Sequence, residues 1–125
     1  MRIAAAQIDI QIGQVEQNLA KITQWIEQAG SEKVDLVVFP ECALTGYCFD
    51  SREEAMPYGR AVSDPLWGAI AESLKKHHVT AAVVGFLEKD GDQLFNASAL
   101  VTADGLVGSY RKVHLPHLGV DRFVD

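Results

Sequence analysis

A strand–helix–strand pattern near the start of the chain most constrains its fold. Four apolar residues stand in a row at Leu36–Phe39, between polar residues and Pro40, which predicts a short strand buried on both faces. An earlier run rich in small and branched residues, Arg2–Ile8, predicts another strand. Between the two strands, the apolar residues of Val15–Ala29 recur at helical spacing. This order predicts two parallel strands joined by a right-handed crossover.

The middle of the chain predicts a second helix and then an antiparallel meander. Ser63-Asp64-Pro65 is a strong helix start, and the apolar spacing continues to His77-His78. Two Asp-Gly pairs then separate three strand-like runs, which predicts two hairpins. The three predicted strands are Thr80–Phe86, Leu94–Val101 and Leu106–Lys112. The predicted fold class is therefore α/β, with a mixed sheet covered by helices. Trp25 and Trp67 lie on the helices and are predicted to be core residues.

Two stretches have no clear periodicity. The segment from Cys42 to Gly59 predicts a long loop, of a length that is usually functional or disordered. The final segment, Val113–Asp125, is followed by no helix that would cover the last strands. We therefore expect residues 1–125 to form the N-terminal part of a single larger domain, with an unpaired sheet edge.

Composition excludes several classes of partner. The chain has 125 residues, 48% of them hydrophobic, which allows one globular domain or part of one. Its net charge of -6 disfavours binding to nucleic acid, because the basic residues occur in pairs such as Lys75-Lys76 rather than in patches. The two cysteines, Cys42 and Cys48, lack zinc spacing, and no targeting or membrane-spanning segment opens the chain. We expect a cytoplasmic protein with free thiols and no membrane partner.

Two charged residues stand at the ends of predicted strands. Glu41 follows the buried run that ends at Phe39, and Lys112 ends the last strand. If both strand ends lie on one rim of the sheet, a carboxylate and an ammonium share a crevice of the kind in which open α/β sheets bind ligands. At about 4 Å such a pair is worth roughly 4 kcal/mol at an effective dielectric near 20. The alternative for each residue is an ordinary solvated charge.

The chain resembles the nitrilase superfamily of carbon-nitrogen hydrolases in several short motifs that occur in the same order along the sequence. The similarity extends over essentially the whole chain. The matching segments, in order, are Ile3–Gln7, Asn18, Leu36–Glu41, Leu44–Tyr47, Asn96–Ala99, Gly105, Tyr110–Lys112 and His114–Pro116. The resemblance implies half of an α-β-β-α sandwich, sheet-to-sheet dimers, and no metal or cofactor.

The resemblance also implies a Glu-Lys-Cys triad. Glu41 matches the general base, and Lys112 matches the lysine that stabilises the oxyanion. The nucleophilic cysteine of the family lies on a later strand, and neither Cys42 nor Cys48 matches it; Cys42 would point away from Glu41 if the backbone there were extended. Asp121 is the nearest match to a second acid that helps to position substrate.

The expected function is hydrolysis of a non-peptide carbon-nitrogen bond in a small amide, carbamoyl compound or nitrile. Because the matching cysteine is absent from these residues, we expect the 125-residue chain to be inactive alone. One alternative is a non-catalytic homologue that dimerises or binds a ligand. A metal site at His114, His117 and Asp121 is a further alternative, although local packing explains these histidines better.

Overall fold

The chain forms a five-stranded mixed sheet with two long helices on one face. A computed structural model describes all of residues 1–125. The strands are β1 Ile3–Ala5, β2 Leu36–Val38, β3 Ala81–Asp90, β4 Gln93–Thr102 and β5 Gly105–Arg111. They lie in the order β1-β2-β3-β4-β5, with β1, β2 and β3 parallel and the last two pairs antiparallel. The predicted α/β class and mixed sheet are confirmed.

The helices α1, Val15–Ser31, and α3, Leu66–His77, pack side by side on the sheet. Each buries one stripe of side chains, as the periodicity predicts. Ile22 and Ile26 of α1 are fully buried, and the ring of Trp67 in α3 meets Phe86 edge-on at 4.8 Å. The prediction that Trp25 is a core residue is wrong, because it lies over the edge strand β1 and is 36% exposed.

The sheet face opposite the helices is covered at one end only. A second buried cluster lies there, formed by Cys42, Phe49, Ala55, Leu87, Leu94 and Val120. These residues come from β3, β4 and the two segments without periodicity, 42–59 and 113–125. The first segment contains a short helix, α2, Arg52–Ala55, so part of the predicted long loop is ordered structure. The rest of this face, which we call the open face, exposes Leu100, Val107 and Tyr110. No helix of the chain has both the length and the hydropathy needed to span a membrane.

Candidate active site

Glu41 stands in a tight turn immediately after β2. Phe39 still donates to Val83 of β3, at 2.8 Å, and the chain then turns at Cys42, whose φ is 49°. The turn rests directly on Gly85. A Cβ at position 85 would lie 2.4 Å from the Pro40 carbonyl oxygen, so only glycine permits this close approach. The turn directs Glu41 to the rim of the sheet.

Lys112 follows β5 at the same rim. Its backbone N–H donates to the carbonyl oxygen of Asn96 at 2.8 Å, which continues the β4–β5 ladder by one residue. Its ammonium group donates to Glu41 Oε1 at 2.6 Å and to Asp121 Oδ2 at 2.7 Å. The structure therefore brings together all three residues that the sequence singled out, although their chemical roles stay predictions.

Asp121 lies beneath Lys112, in the 3-10 turn Gly119–Arg122. Its side chain is fully buried, whereas that of Lys112 is 32% exposed. The Tyr47 hydroxyl donates to the Leu118 carbonyl at 2.7 Å and contacts Asp121 Oδ2 at 3.2 Å. Gly119, with a φ of 51°, packs so closely on the Tyr47 ring that no side chain fits there. These contacts fix the position of the Asp121 carboxylate.

Asn96 of β4 joins the two carboxylates. Its amide nitrogen donates to Glu41 Oε1 and to Asp121 Oδ1, both at 2.7 Å. Asn96 and Tyr47 were not predicted as site residues, although both lie in motifs that carry the family resemblance. A usable signal was the polar side chain of Asn96 in an otherwise apolar stretch of β4, because a buried amide needs polar partners.

Two carboxylates share one ammonium in this cluster, and this determines its electrostatics. Hydrogen bonds to Asp121, and then to Glu41, raise the pKa of Lys112 above its ordinary value. Burial acts to raise the pKa of Asp121, but hydrogen bonds from Asn96 and Lys112 outweigh it and hold this pKa below its usual value. Burial, together with the negative charge of Asp121, raises the pKa of Tyr47 to about 12. Asp121 and Lys112 are therefore both ionised at neutral pH.

A cavity of about 230 Å³ opens beside the Glu41–Lys112 pair. Its lining residues come from β3, β4, β5 and the segments that follow β2 and β5, and they include Phe39, Glu41, Val83, Ser98, Tyr110 and Lys112. Glu41, whose side chain is 46% exposed, is the more accessible of the two carboxylates. The arrangement presents a base and a fixed positive charge to a molecule in this cavity.

Neither thiol of the chain is placed as a nucleophile toward this cavity. Both cysteines are free; Cys48 is exposed outside the site, and Cys42 is fully buried. The backbone at Cys42 is left-handed rather than extended, and its sulfur lies 3.7 Å from Asn96 Oδ1. Burial first, and then the negative charges of Glu41 and Asp121, raise the pKa of the Cys42 thiol well above its ordinary value.

The candidate metal ligands do not come together. His114 and His117 are exposed, whereas Asp121 is buried against Lys112. No group of three or more histidine, cysteine, aspartate or glutamate side chains has a geometry that could hold a metal ion.

Comparison with known proteins gives one consistent family. Residues 2–124 match the carbon-nitrogen hydrolase family. A nitrilase from Pyrococcus abyssi is 32% identical over 92% of the chain, and the chain spans 44% of that protein. A protein N-terminal amidase from Saccharomyces cerevisiae is 29% identical, and the chain spans 26% of it. The crystal structure of an N-terminal amidase superposes with a TM-score of 0.78 and 29% identity, over 98% of this chain and 30% of that one. The chain thus spans less than half the length of each.

Proposed function

This chain belongs to the carbon-nitrogen hydrolase family, within the nitrilase superfamily, and we propose that it supplies the base and the oxyanion-stabilising charge of an amidase site. The observation that carries the proposal is the 2.6 Å contact between Lys112 Nζ and Glu41 Oε1 at the mouth of the cavity. Such a pair fits hydrolysis of an amide, which needs a proton acceptor close to a fixed positive charge.

The proposed reaction has two halves. Glu41 takes the proton of a thiol, whose sulfur attacks the amide carbon, and the resulting oxyanion is stabilised by Lys112. Glu41 then gives the proton to the departing amine, leaving a thioester. In the second half Glu41 takes a proton from water, the hydroxide attacks the thioester, and the acid leaves as the thiol regains its proton. Asp121 positions the substrate indirectly in this scheme, by fixing Lys112.

The thiol is proposed to come from outside these residues. Cys42 is buried against Asn96 and has a raised pKa, which leaves it protonated and shielded, and Cys48 lies away from the cavity. A thiolate is the reactive form of cysteine, so neither thiol suits the reaction. The two unpaired cysteines also support our expectation of a reducing, cytoplasmic setting.

The substrate class is proposed to be small amides, carbamoyl compounds or nitriles. A structure of an N-terminal amidase with a Gln-Val peptide, 30% identical with a TM-score of 0.76, adds peptides with an amino-terminal glutamine to the compounds worth testing. The cavity volume of about 230 Å³ is smaller than the usual range of ligand pockets, about 300–1,000 Å³, and suits a small group.

The test is hydrolysis of glutamine, a Gln-Val dipeptide, a carbamoyl compound and a small nitrile by the complete gene product. Glu41→Gln should lower kcat by about 10²–10⁴-fold, because the proton acceptor is lost. Glu27→Gln, at an exposed position on α1, is the matched control and should retain activity. Turnover that survives Glu41→Gln unchanged would remove Glu41 from the mechanism.

A second candidate function is a non-catalytic module that pairs with another copy of the chain or binds a ligand. The open face supports it, since Val107 and Tyr110 are 62% and 65% exposed beside the cavity. Sedimentation of the 125-residue chain tests this: a dimer that Val107→Glu dissociates, together with no turnover by the complete gene product, would favour the module. A monomer at all concentrations would exclude a homodimer of this chain.

A further inference from the structure

Asn96 and Lys112 both contact the two carboxylates of the site, and Asn96 is the uncharged member of this pair. It lies in β4 opposite Leu87 and is 3% exposed. The amide nitrogen donates one hydrogen to Glu41 and the other to Asp121, and the amide oxygen faces the thiol of Cys42. The hydrogen-bonding groups of this amide are therefore all engaged within the protein. A side chain held in this way has a single orientation.

The hydrogen bonds distinguish the four carboxylate oxygens. Both oxygens of Asp121 accept a hydrogen bond, one from Asn96 and the other from Lys112. In Glu41, Oε1 receives both Asn96 and Lys112, whereas Oε2 receives no hydrogen bond from the protein. Glu41 Oε2 is therefore the one carboxylate oxygen of the cluster that accepts no hydrogen bond, and it belongs to the more exposed of the two side chains.

The amide group suits this position better than the alternatives. It offers two N–H donors without a charge, so it can hold two carboxylates close together without competing with Lys112. An aspartate at the same place would add a third negative charge and no donor. A serine would offer one donor to two acceptors, and a leucine none, which would leave buried oxygen atoms without partners.

We propose that Asn96 is a positioning residue that, together with Lys112, occupies Glu41 Oε1 and so makes Oε2 the oxygen that accepts the proton. The catalytic role of that proton rests on the proposed function, whereas the hydrogen bonds of Asn96 can be tested without any activity. Asn96 also holds Asp121 at the distance at which both carboxylates reach one ammonium group. In this role Asn96 acts through Glu41 Oε1 and Asp121 rather than on Oε2 itself.

The first test needs no activity. The side-chain carboxyl carbons of Glu41 and Asp121 are observed by ¹³C NMR at neutral pH, and that of Asp121 also as a function of pH, in the wild type, Asn96→Ala and Asn96→Ser. Asn96→Ala should change the chemical shifts of both carbons and move the Asp121 titration midpoint to higher pH, because each carboxylate loses a hydrogen-bond donor. Asn96→Ser keeps one donor and adds no charge, and it covers the case in which the alanine variant does not fold.

Asn18 offers a matched control. It is the other asparagine of the chain, is also fully buried, and donates to the carbonyls of Gln11 and Leu44 at 2.7 and 3.1 Å. Asn18→Ala therefore loses a comparable buried amide without contact to the carboxylates, and the two carboxyl chemical shifts and the Asp121 titration midpoint should stay in place. Equal titration behaviour of the Asn96 and Asn18 variants would overturn the proposal.

The second test measures kcat and KM separately in the complete gene product. The Asn96 variants should lose about 10–10²-fold in kcat with a smaller change in KM, and Asn18→Ala should lose less kcat at equal folded fraction. If Glu41→Gln abolishes turnover while the Asn96 variants match Asn18→Ala, the inference fails and the proposed function stands. If Glu41→Gln is active while the Asn96 variants still change the NMR signals, the proposed function fails and the positioning by Asn96 stands.

Discussion

Gly85→Ala tests how tightly the sheet determines the position of Glu41. Gly85 lies in the middle of β3, and the turn that carries Glu41 rests on it. An added Cβ would lie 2.4 Å from the Pro40 carbonyl oxygen, 2.6 Å from the Cys42 nitrogen and 2.8 Å from the Glu41 Cα. All three atoms belong to the backbone, so no side-chain rotation relieves the overlap.

The size of the effect follows from these distances. Contacts of a real Cβ below 3.0 Å are essentially absent from proteins, so the turn must move away from β3 by about 1 Å. The hydrogen bond from Leu44 N to Gly85 O, at 3.1 Å, opposes this movement. We expect a loss of about 1–3 kcal/mol in the free energy of unfolding, as for other overpacked cores. A displacement of about 1 Å at a catalytic group would also lower kcat/KM by about 10²-fold.

Urea denaturation of the 125-residue chain measures the first effect, with tryptophan fluorescence as the signal. Gly108→Ala is the matched control, because Gly108 lies in strand β5 of the same sheet with nothing within 4 Å of its added Cβ. Its free energy of unfolding should change by less than about 0.5 kcal/mol. A Gly85→Ala variant as stable as Gly108→Ala would refute the conclusion that this contact fixes the turn.

Two further predictions concern protonation. The pKa of Asp121 is lowered in the folded protein, so its contribution to stability is present above the unfolded value of about 3.9 and is lost as the pH falls through the folded value. The urea midpoint should therefore fall more between pH 6 and pH 3 in the wild type than in Asp121→Asn. An equal fall in the two proteins would contradict the ion pair with Lys112. Cysteine alkylation at pH 8, followed by mass spectrometry, should modify exposed Cys48 and leave Cys42 unmodified until the chain unfolds. The reason is that burial and the two carboxylates raise the pKa of the Cys42 thiol. Equal labelling of both thiols would contradict this prediction.

Local signals in the sequence were sufficient to predict the fold. The apolar run at Leu36 and the helical spacing before it predicted the parallel pair, and the Asp-Gly pairs predicted the hairpins. The errors lie at element ends, where local preference competes with pairing. Strand β3 continues past Phe86 to Asp90 because Leu87 and Glu88 pair with β4 across the sheet. Trp25 was misassigned because helical spacing identifies the buried stripe but not how far an edge strand extends beneath it.

Only part of the site could be predicted from the sequence. Glu41 and Lys112 could be identified because strand ends of one sheet share a rim. The role of Asn96 depends on the exact register of β4 and β5, and that register shifts at Leu100 and Val101, where the ladder contains a bulge. A bulge changes which side chains share a face, and composition does not reveal it. The contact between Asn96 and two carboxylates therefore required coordinates.

The second carboxylate explains how the proposed base can change its charge. If Glu41 were the sole partner of Lys112, a proton arriving on Glu41 would leave a partly buried ammonium without a counter-ion, at a cost of several kcal/mol. Asp121 is fully buried, bound to Lys112 at 2.7 Å and held below its usual pKa, so it stays ionised through the cycle. Proton transfer from a thiol to Glu41 then moves one negative charge from the Glu41 carboxylate to the sulfur and leaves Asp121 and Lys112 as a neutral ion pair. In this scheme Lys112 remains paired with Asp121 and in place to stabilise the oxyanion.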